Sequence, residues 1–432
     1  MNTQQGSGPP PPRRRPPHRL PMHRLPIHYG WVIMAAGTLT IFACLGLGRF
    51  SLGMLLPSMG KALDLSYAEM GFLSTANFVG YLVAVLLSGR IMRRIGARNI
   101  ISAALVGVGG SMMAISQLSS LTAITAFYIL TGMASALANV PVMALISIWF
   151  GRSQRGKAAG FVVIGSGFAI ILCGWLIPYL NDLHHDGWRT GWLSLGATVL
   201  CCAVICYALF RNTPAELGLA PVGATTDELS AAGSRPSPAP LALHSRIVLH
   251  CAAIYFLFGF TYVIYVTFVV TSMIEDRGYA ESAAGIFWSW VGLLSLLSGP
   301  LPGALSDRFG RKAALMSVFA IQAMAYLLVA LPLPDFFLFC SIGCYGIVAW
   351  SIPSIISALV ADYAGQQRVA AIFGFVTFVF GIGQIIGPYL AGLLAEATGS
   401  FSASFFLAFC LAVAAVILSS FLPATGTAKS SS

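Results

Sequence analysis

Two ten-residue stretches, GRIMRRIGAR at Gly89–Arg98 and GALSDRFGRK at Gly303–Lys312, stand 214 positions apart, and their correspondence decides how the chain folds. The same offset carries Gly89 to Gly303 and Gly96 to Gly310. Upstream it carries Ser58 and Met59 to Ser272 and Met273, and Gly71 to Gly285. One constant offset across several segments reads as an internal duplication. Each stretch lies between long apolar runs, and outward from them twelve such runs can be counted: 29–57, 69–90, 99–117, 121–150, 158–180, 190–210, 246–273, 282–304, 313–332, 336–361, 369–395 and 401–422. About 20 residues of helix cross a hydrocarbon core of roughly 30 Å, so these lengths predict twelve transmembrane helices. Two parallel six-helix halves joined by a linker are a known transporter architecture, with the binding site near the bilayer midplane between them.

Composition agrees. Of 432 residues 57% are hydrophobic and 9% are charged, whereas a soluble domain carries about 25% charged residues. An ordinary soluble enzyme is excluded. The net charge of +10 does not form one basic patch, because the Lys and Arg residues fall in short loops, and nucleic acid is not expected as a partner. All nine cysteines lie inside apolar runs, where they read as small packing residues, so no metal or other cofactor is expected.

Domain organisation follows: a disordered basic, Pro-rich tail at 1–28, a six-helix bundle at 29–210, a flexible linker at 211–245, a second bundle at 246–422 and a tail at 423–432. With both termini cytoplasmic, 20 of the 24 Lys and Arg residues fall on that side; Lys61, Arg189 and Arg277 lie outside and Arg49 within a span. This bias sets the topology. The chain is expected in a bacterial-type inner membrane, with the lipid bilayer and one small molecule as partners, working as a monomer.

GALSDRFGRK resembles the G-x-x-x-D-R-x-G-R-K loop signature of the major facilitator superfamily. The resemblance implies an all-α polytopic membrane protein of twelve transmembrane helices in two pseudo-repeated halves that rock about a central site. It also implies an interdomain loop whose charged contacts hold the halves together on the cytoplasmic side. That role carries over to Asp307, Arg308, Arg311 and Lys312, with Gly303 and Gly310 as further matched positions. The N-terminal copy keeps Gly89, Arg94 and Gly96 but has Arg93 where the family usually has an acid. WFGRSQRGKAAGFVVIGSGFA at 149–169 and RVAAIFGFVTFVFGIGQIIGPYLAGLL at 368–394 look like the branch of monocarboxylate and oxalate/formate carriers. The arginine that such carriers usually place in helix 8 is missing from IFWSWVGLLSLLSG. The R-x-x-Q-G signature of drug exporters is also missing at Tyr128–Gly132.

An ionised side chain in hydrocarbon costs about 3 kcal/mol or more, so each intramembrane charge is a functional candidate. Arg49, flanked by Gly46 and Gly48, is the clear case. Two readings stay open. Its guanidinium fork pairs with an anionic substrate, or it snorkels to headgroups or caps a neighbouring helix. Near span midpoints lie Asn77, Asn139, Tyr262, Tyr265, Trp290, Tyr345, Trp350 and Gln384, which either line a substrate site or act as interhelical glue. In the resembled superfamily helices 1, 4, 7 and 10 line the cavity, which selects Arg49, Asn139, Tyr262, Tyr265, Tyr345 and Trp350. Trp31, Trp149, Trp188 and Trp192 read as interfacial belt residues, and Pro141, Pro300, Pro353 and Pro388 as kinks or hinges. No Asp, Glu or His falls in mid-membrane and no HExxH occurs, which argues against an intramembrane protease. The expected function is secondary active or facilitative transport of a small organic anion, a carboxylate, by alternating access. The alternative is a carrier of a neutral or amphipathic solute, with Arg49 structural.

Overall fold

Backbone in hydrocarbon must satisfy its own hydrogen bonds, and a helix does so within one segment; each apolar run accordingly becomes helix. A computed structural model describes residues 27–184, 186–224, 245–299, 306, 308–364 and 369–423. The first half holds α1 (Tyr29–Leu63), α2 (Tyr67–Ile95), α3 (Ala97–Ile115), α4 (Leu121–Trp149), α5 (Arg152–Leu183) and α6 (Gly187–Leu209). The second holds α7 (Arg246–Glu275), α8 (Glu281–Ser295), α9 (Arg311–Ala330), α10 (Asp335–Val348 and Ser351–Ala364), α11 (Val369–Thr398) and α12 (Ser402–Ser420). Among the described residues 11 helices are long and apolar enough to cross a membrane. The remaining one, α8, continues as a turn to Gly299, where the described stretch ends.

The duplication is visible in the backbone. Gly96 (φ 81°, ψ 155°) and Gly310 (φ 88°, ψ 155°) start α3 and α9 in the same conformation, a region open to glycine almost alone. At α2 a capping box sets the start: Glu69 N donates to Ser66 Oγ over 3.3 Å and Ser66 N donates to Glu69 Oε2 over 2.9 Å, satisfying two free donors of the first turn.

Several boundaries differ from the sequence expectation. Helix α1 runs to Leu63 rather than ending at 57, stopping where Asp64 turns left-handed at φ 52°, and its middle, Phe42–Phe50, is a π-helix. Helix α10 breaks at Ala349–Trp350. Pro353 has no N–H for the Ala349 carbonyl, and Ser298 takes up the exposed groups: its Oγ accepts from Trp350 N at 3.3 Å and its carbonyl from Ser351 Oγ at 2.6 Å. Pro141 and Pro388 lie inside unbroken helices, and Pro300 falls outside the described residues. The first part of the linker is fixed rather than flexible. Pro214–Leu217 form a 3₁₀ turn, Val222 N donates to Trp149 O at 2.8 Å, and Gly151 N donates to Val222 O at 2.9 Å. The tail at 1–26 and the linker from 225 to 244 lie outside the described residues. Of the four belt tryptophans only Trp31 is exposed; Trp149, Trp188 and Trp192 are buried within the bundle, with Trp149 Nε1 donating to Arg211 O at 3.0 Å.

The halves meet along three seams, α2 with α11, α5 with α8, and the second part of α1 with α7. Glycines bring the backbones together there: a Cβ on Gly71 would stand 2.4 Å from Pro388 O and one on Gly174 2.3 Å from Gly285 O. Small residues of this kind replace the missing hydrophobic drive between helices in lipid. Gly46–Pro57 and Phe258–Met273 are buried without interruption, whereas Trp31, Ala35, Ile247, Leu249 and Ala253 at the other end of α1 and α7 are exposed. The molecule is therefore closed on the face opposite the Gly96 and Gly310 loops.

Candidate functional site

The π segment of α1 is where the site begins. A π turn widens the helix by one residue and is frequent at functional positions. Here the small Gly46–Leu47–Gly48 run lets α5 press in, so that a Cβ on Gly46 would lie 2.2 Å from Ala169 Cβ. The next residue, Arg49, is only 8% exposed. Its Nε donates to Asn77 Oδ1 at 3.1 Å, and the guanidinium carbon lies 4.5 Å from the Phe78 ring centre and 4.2 Å from that of Tyr81. Asn77 in turn donates from Nδ2 to Tyr128 O at 3.2 Å, and the Tyr128 hydroxyl donates to Arg49 O at 3.3 Å. Helix α2 thus holds the guanidinium of α1, and α4 braces both through Tyr128. Arg49 Nη2 is buried with no hydrogen-bond partner, and among the described residues no carboxylate pairs with it.

Tyr81 links this group to α4. Asn139 Nδ2 donates to the Tyr81 hydroxyl at 2.7 Å, while Asn139 Oδ1 is buried without a partner. From the other half, Tyr262 comes within electrostatic reach of Arg49 and Tyr81 and accepts a hydrogen bond from Gln384 Nε2. Trp350 closes the group: its ring stands edge-on to Tyr262 at 6.0 Å and tilted against Phe50 at 4.9 Å, joining α10 to α1. The structure thus brings together Arg49, Asn77, Asn139, Tyr262, Trp350 and Gln384.

Other residues selected from the sequence stand elsewhere. Tyr265 and Tyr345 stack at 4.1 Å inside the second half, where the Tyr265 hydroxyl bonds Ser341 Oγ at 3.0 Å and both rings pack beside Tyr326. Trp290 is 50% exposed on α8 and lines a groove of about 390 Å³ with Trp175 and Tyr179 of α5. Gly303 and Asp307 lie outside the described residues. In the loops, Gly89 precedes exposed Arg94 at the end of α2, and Arg308 is exposed beside Phe309. Arg311 Nε meets Asp362 Oδ2 at 3.4 Å and its Nη1 donates to Ser306 Oγ at 2.9 Å, both within the second half. Lys312 follows it, partly buried, and Gly96 and Gly310 form the helix starts described above.

Sequence reasoning missed Tyr81 and Phe78. The signal was available: Tyr81 lies four residues after Asn77, on one helix face with it, and an aromatic one turn from a buried amide is a natural partner for a cation.

Among the described residues no cluster of His, Cys, Asp and Glu arises that would hold a metal ion. One acid outside the spans is displaced from its ordinary behaviour. Burial pushes the Asp276 carboxyl up at the end of α7, while hydrogen bonds from Phe401 N and Ser272 Oγ pull the other way.

A twelve-helix bundle of two repeated halves, with a buried cation and aromatic groups where they meet, defines a polytopic membrane transporter. The comparisons give the particular family: residues 41–420 match the model described as "Uncharacterised MFS-type transporter YbfB", and the chain belongs to this family of major facilitator transporters, not to an enzyme family. It is 24% identical to the hexuronate transporter of Bacillus subtilis (strain 168) over 399 residues, 85% of this chain and 88% of that protein. It is 27% identical to monocarboxylate transporter 11 of Mus musculus over 398 residues, 87% of this chain and 83% of that one. Its fold is similar to the nucleoside transporter NupG (D323A mutant), with a TM-score of 0.71 at 14% identity, covering 91% of this chain and 100% of that structure. It is also similar to a bacterial homologue of the human lysosomal transporter Spinster in an inward-facing, occupied conformation, with a TM-score of 0.69 at 14% identity, covering 91% and 96%.

Proposed function

We propose that the protein carries a small organic anion, a carboxylate, across the inner membrane, by rocking of the halves bounded at 29–210 and 246–422 about the Arg49 group. The observation that carries this reading is the uncompensated buried guanidinium. A charge in a low-dielectric interior costs several kcal/mol unless it is paired, and among the described residues Arg49 meets an amide, aromatic faces and the Tyr262 phenol but no carboxylate. A carboxylate or phosphate arriving at Nη2 would supply the missing countercharge through a charge-assisted bond. The names of the hexuronate and monocarboxylate relatives agree with an acid substrate. With both termini cytoplasmic, as the Lys and Arg distribution favours, the closed face is the outer one.

The reading is tested by the thermal stability of the detergent-purified protein across carboxylates, sugar phosphates, amino acids and neutral solutes, with Arg49→Ala and Arg49→Lys in parallel. A ligand that binds only the folded state raises the melting temperature by mass action. Stabilisation by anions that Arg49→Ala abolishes supports an anion carrier. Stabilisation by neutral solutes alone, equal in parent and variants, makes Arg49 structural and replaces the reading with a neutral-solute carrier.

A further inference from the structure

The anion reading leaves one buried polar feature beside Arg49 unused, and that feature narrows the substrate. Asn139 and Tyr81 form a closed pair, with Asn139 Nδ2 on the Tyr81 hydroxyl at 2.7 Å, and the far atom of the same carboxamide, Oδ1, is buried with no partner. The pair stands directly next to the cation, since the Tyr81 ring centre is 4.2 Å from the guanidinium carbon. Two neighbouring groups thus carry unfilled hydrogen-bonding capacity: Arg49 Nη2, a charged donor, and the Asn139–Tyr81 pair, through its unpartnered carboxamide atom and the phenol's own O–H donor.

Leaving such atoms unmet in the interior costs about 1–3 kcal/mol each. An anion on Arg49 answers only the first. What the second asks for depends on how the amide is turned. As drawn, Oδ1 needs a donor and the phenol retains its proton to give. With the amide reversed, its nitrogen needs an acceptor. An alcohol hydroxyl satisfies either orientation, because it offers one donor and two acceptor lone pairs. A methyl or methylene at the same place would bury the carboxamide permanently unpaired, which is how polar sites reject deoxy analogues.

Resting on the anion reading above, we infer that the substrate is a hydroxylated carboxylate, its carboxylate on Arg49 and a nearby hydroxyl on the Asn139–Tyr81 pair. Both of these groups belong to the first half, on α1, α2 and α4. Recognition of the hydroxy acid is thereby complete on one half, and Tyr262, Gln384 and Trp350 of the second half close over it.

The test uses matched pairs that differ in hydroxyl groups: lactate against propionate, and tartrate against succinate. Thermal-shift titrations of the purified protein are expected to give half-maximal stabilisation at a concentration at least about tenfold lower for each hydroxylated member. The preference is expected to fall below about threefold in Asn139→Leu. Tyr81→Phe, which removes one oxygen and keeps the ring over Arg49, reduces it in a protein whose packing is otherwise retained. Equal titration of both members of each pair overturns the inference while the organic-anion reading stands. A preference that survives both variants also overturns it, by placing the hydroxyl elsewhere. If none of the four acids stabilises the protein while another anion of the wider panel does, the inference fails and the anion reading stands; if no anion of that panel stabilises it, both fail.

Discussion

Arg49 Nε donates to Asn77 Oδ1 at 3.1 Å, so the one deep cation of the first half is oriented by a neutral amide rather than an acid. That choice keeps its charge available. Asn77→Asp would place a carboxylate of nearly the same shape within bonding distance of the guanidinium and supply the countercharge internally. The expected outcome is a protein that folds at least as well but binds organic anions at least about tenfold more weakly, a loss of roughly 1.4 kcal/mol. Thermal-shift titration with the stabilising anion measures it, and unchanged affinity would show that no substrate charge meets Arg49.

The π segment depends on the contact with α5. Since a Cβ on Gly46 would fall 2.2 Å from Ala169 Cβ and 3.5 Å from Ser166 Cα, no rotamer of a larger residue relieves the overlap. Gly46→Val is expected to cost about 1–3 kcal/mol in stability, as overpacking of a filled interior does, and to displace Arg49 from Asn77. A lower melting temperature together with weakened anion binding checks this; a variant that melts with the parent would mean that α1 and α5 separate freely.

The fold was legible because its determinants are local. Apolar length sets the spans, and the 214-residue offset between Gly96 and Gly310 marks a backbone conformation that recurs in the structure. The site was legible in part. Arg49, Asn77, Asn139 and Gln384 announce themselves as polar groups in apolar runs, yet which of them meet depends on helix rotation, and hydrophobic periodicity is faint where a helix is apolar all round. Hence Tyr265 and Tyr345, equally central in the sequence, pack inside one half, while Trp290 faces outward. The π turn left no signal beyond two glycines. The fixed part of the linker was hidden for a different reason: RNTPAELGLAPVG reads as polar coil, and its order comes from pairing with the end of α4.

Asp276 gives a pH dependence with a definite sign. Burial raises its carboxyl above the ordinary value of 3.8 even though Phe401 N and Ser272 Oγ bond its Oδ2 at 3.0 and 2.9 Å. The folded state therefore holds the proton more tightly than the unfolded chain, and the stability from that protonation is present below about pH 4 and lost as pH rises through the folded value. Asp276→Asn keeps an acceptor oxygen and removes the ionisation. Its melting temperature is expected to exceed that of the parent at pH 7, with the gap closing toward pH 4; a gap that widens on acidification would reverse the assignment.

At the closed face, Asn181 Nδ2 reaches both Glu281 Oε1 and, at 3.1 Å, Ser58 Oγ, so the end of α5 ties α8 of the other half to α1. The opposite seam carries a matching contact, Ala68 N donating to Glu396 Oε2 at 3.0 Å. In both, a carboxylate of the second half is bonded by a group of the first, and both must release before that face opens. Below them Ser74 and Thr267 join the halves by a 3.1 Å bond beside a small cavity that Arg49 also lines. Glu281→Gln replaces a charge-assisted bond by a neutral one, about half as strong, and shifts the balance toward the open face. The readout is modification of Thr267→Cys by a membrane-impermeant thiol reagent added to that face, over the background of the nine native cysteines. Glu281→Gln is expected to speed labelling severalfold, and Glu281→Gln with Glu396→Gln to speed it further. Equal rates in all three backgrounds would mean that the glycine contacts of the seams alone keep this face shut.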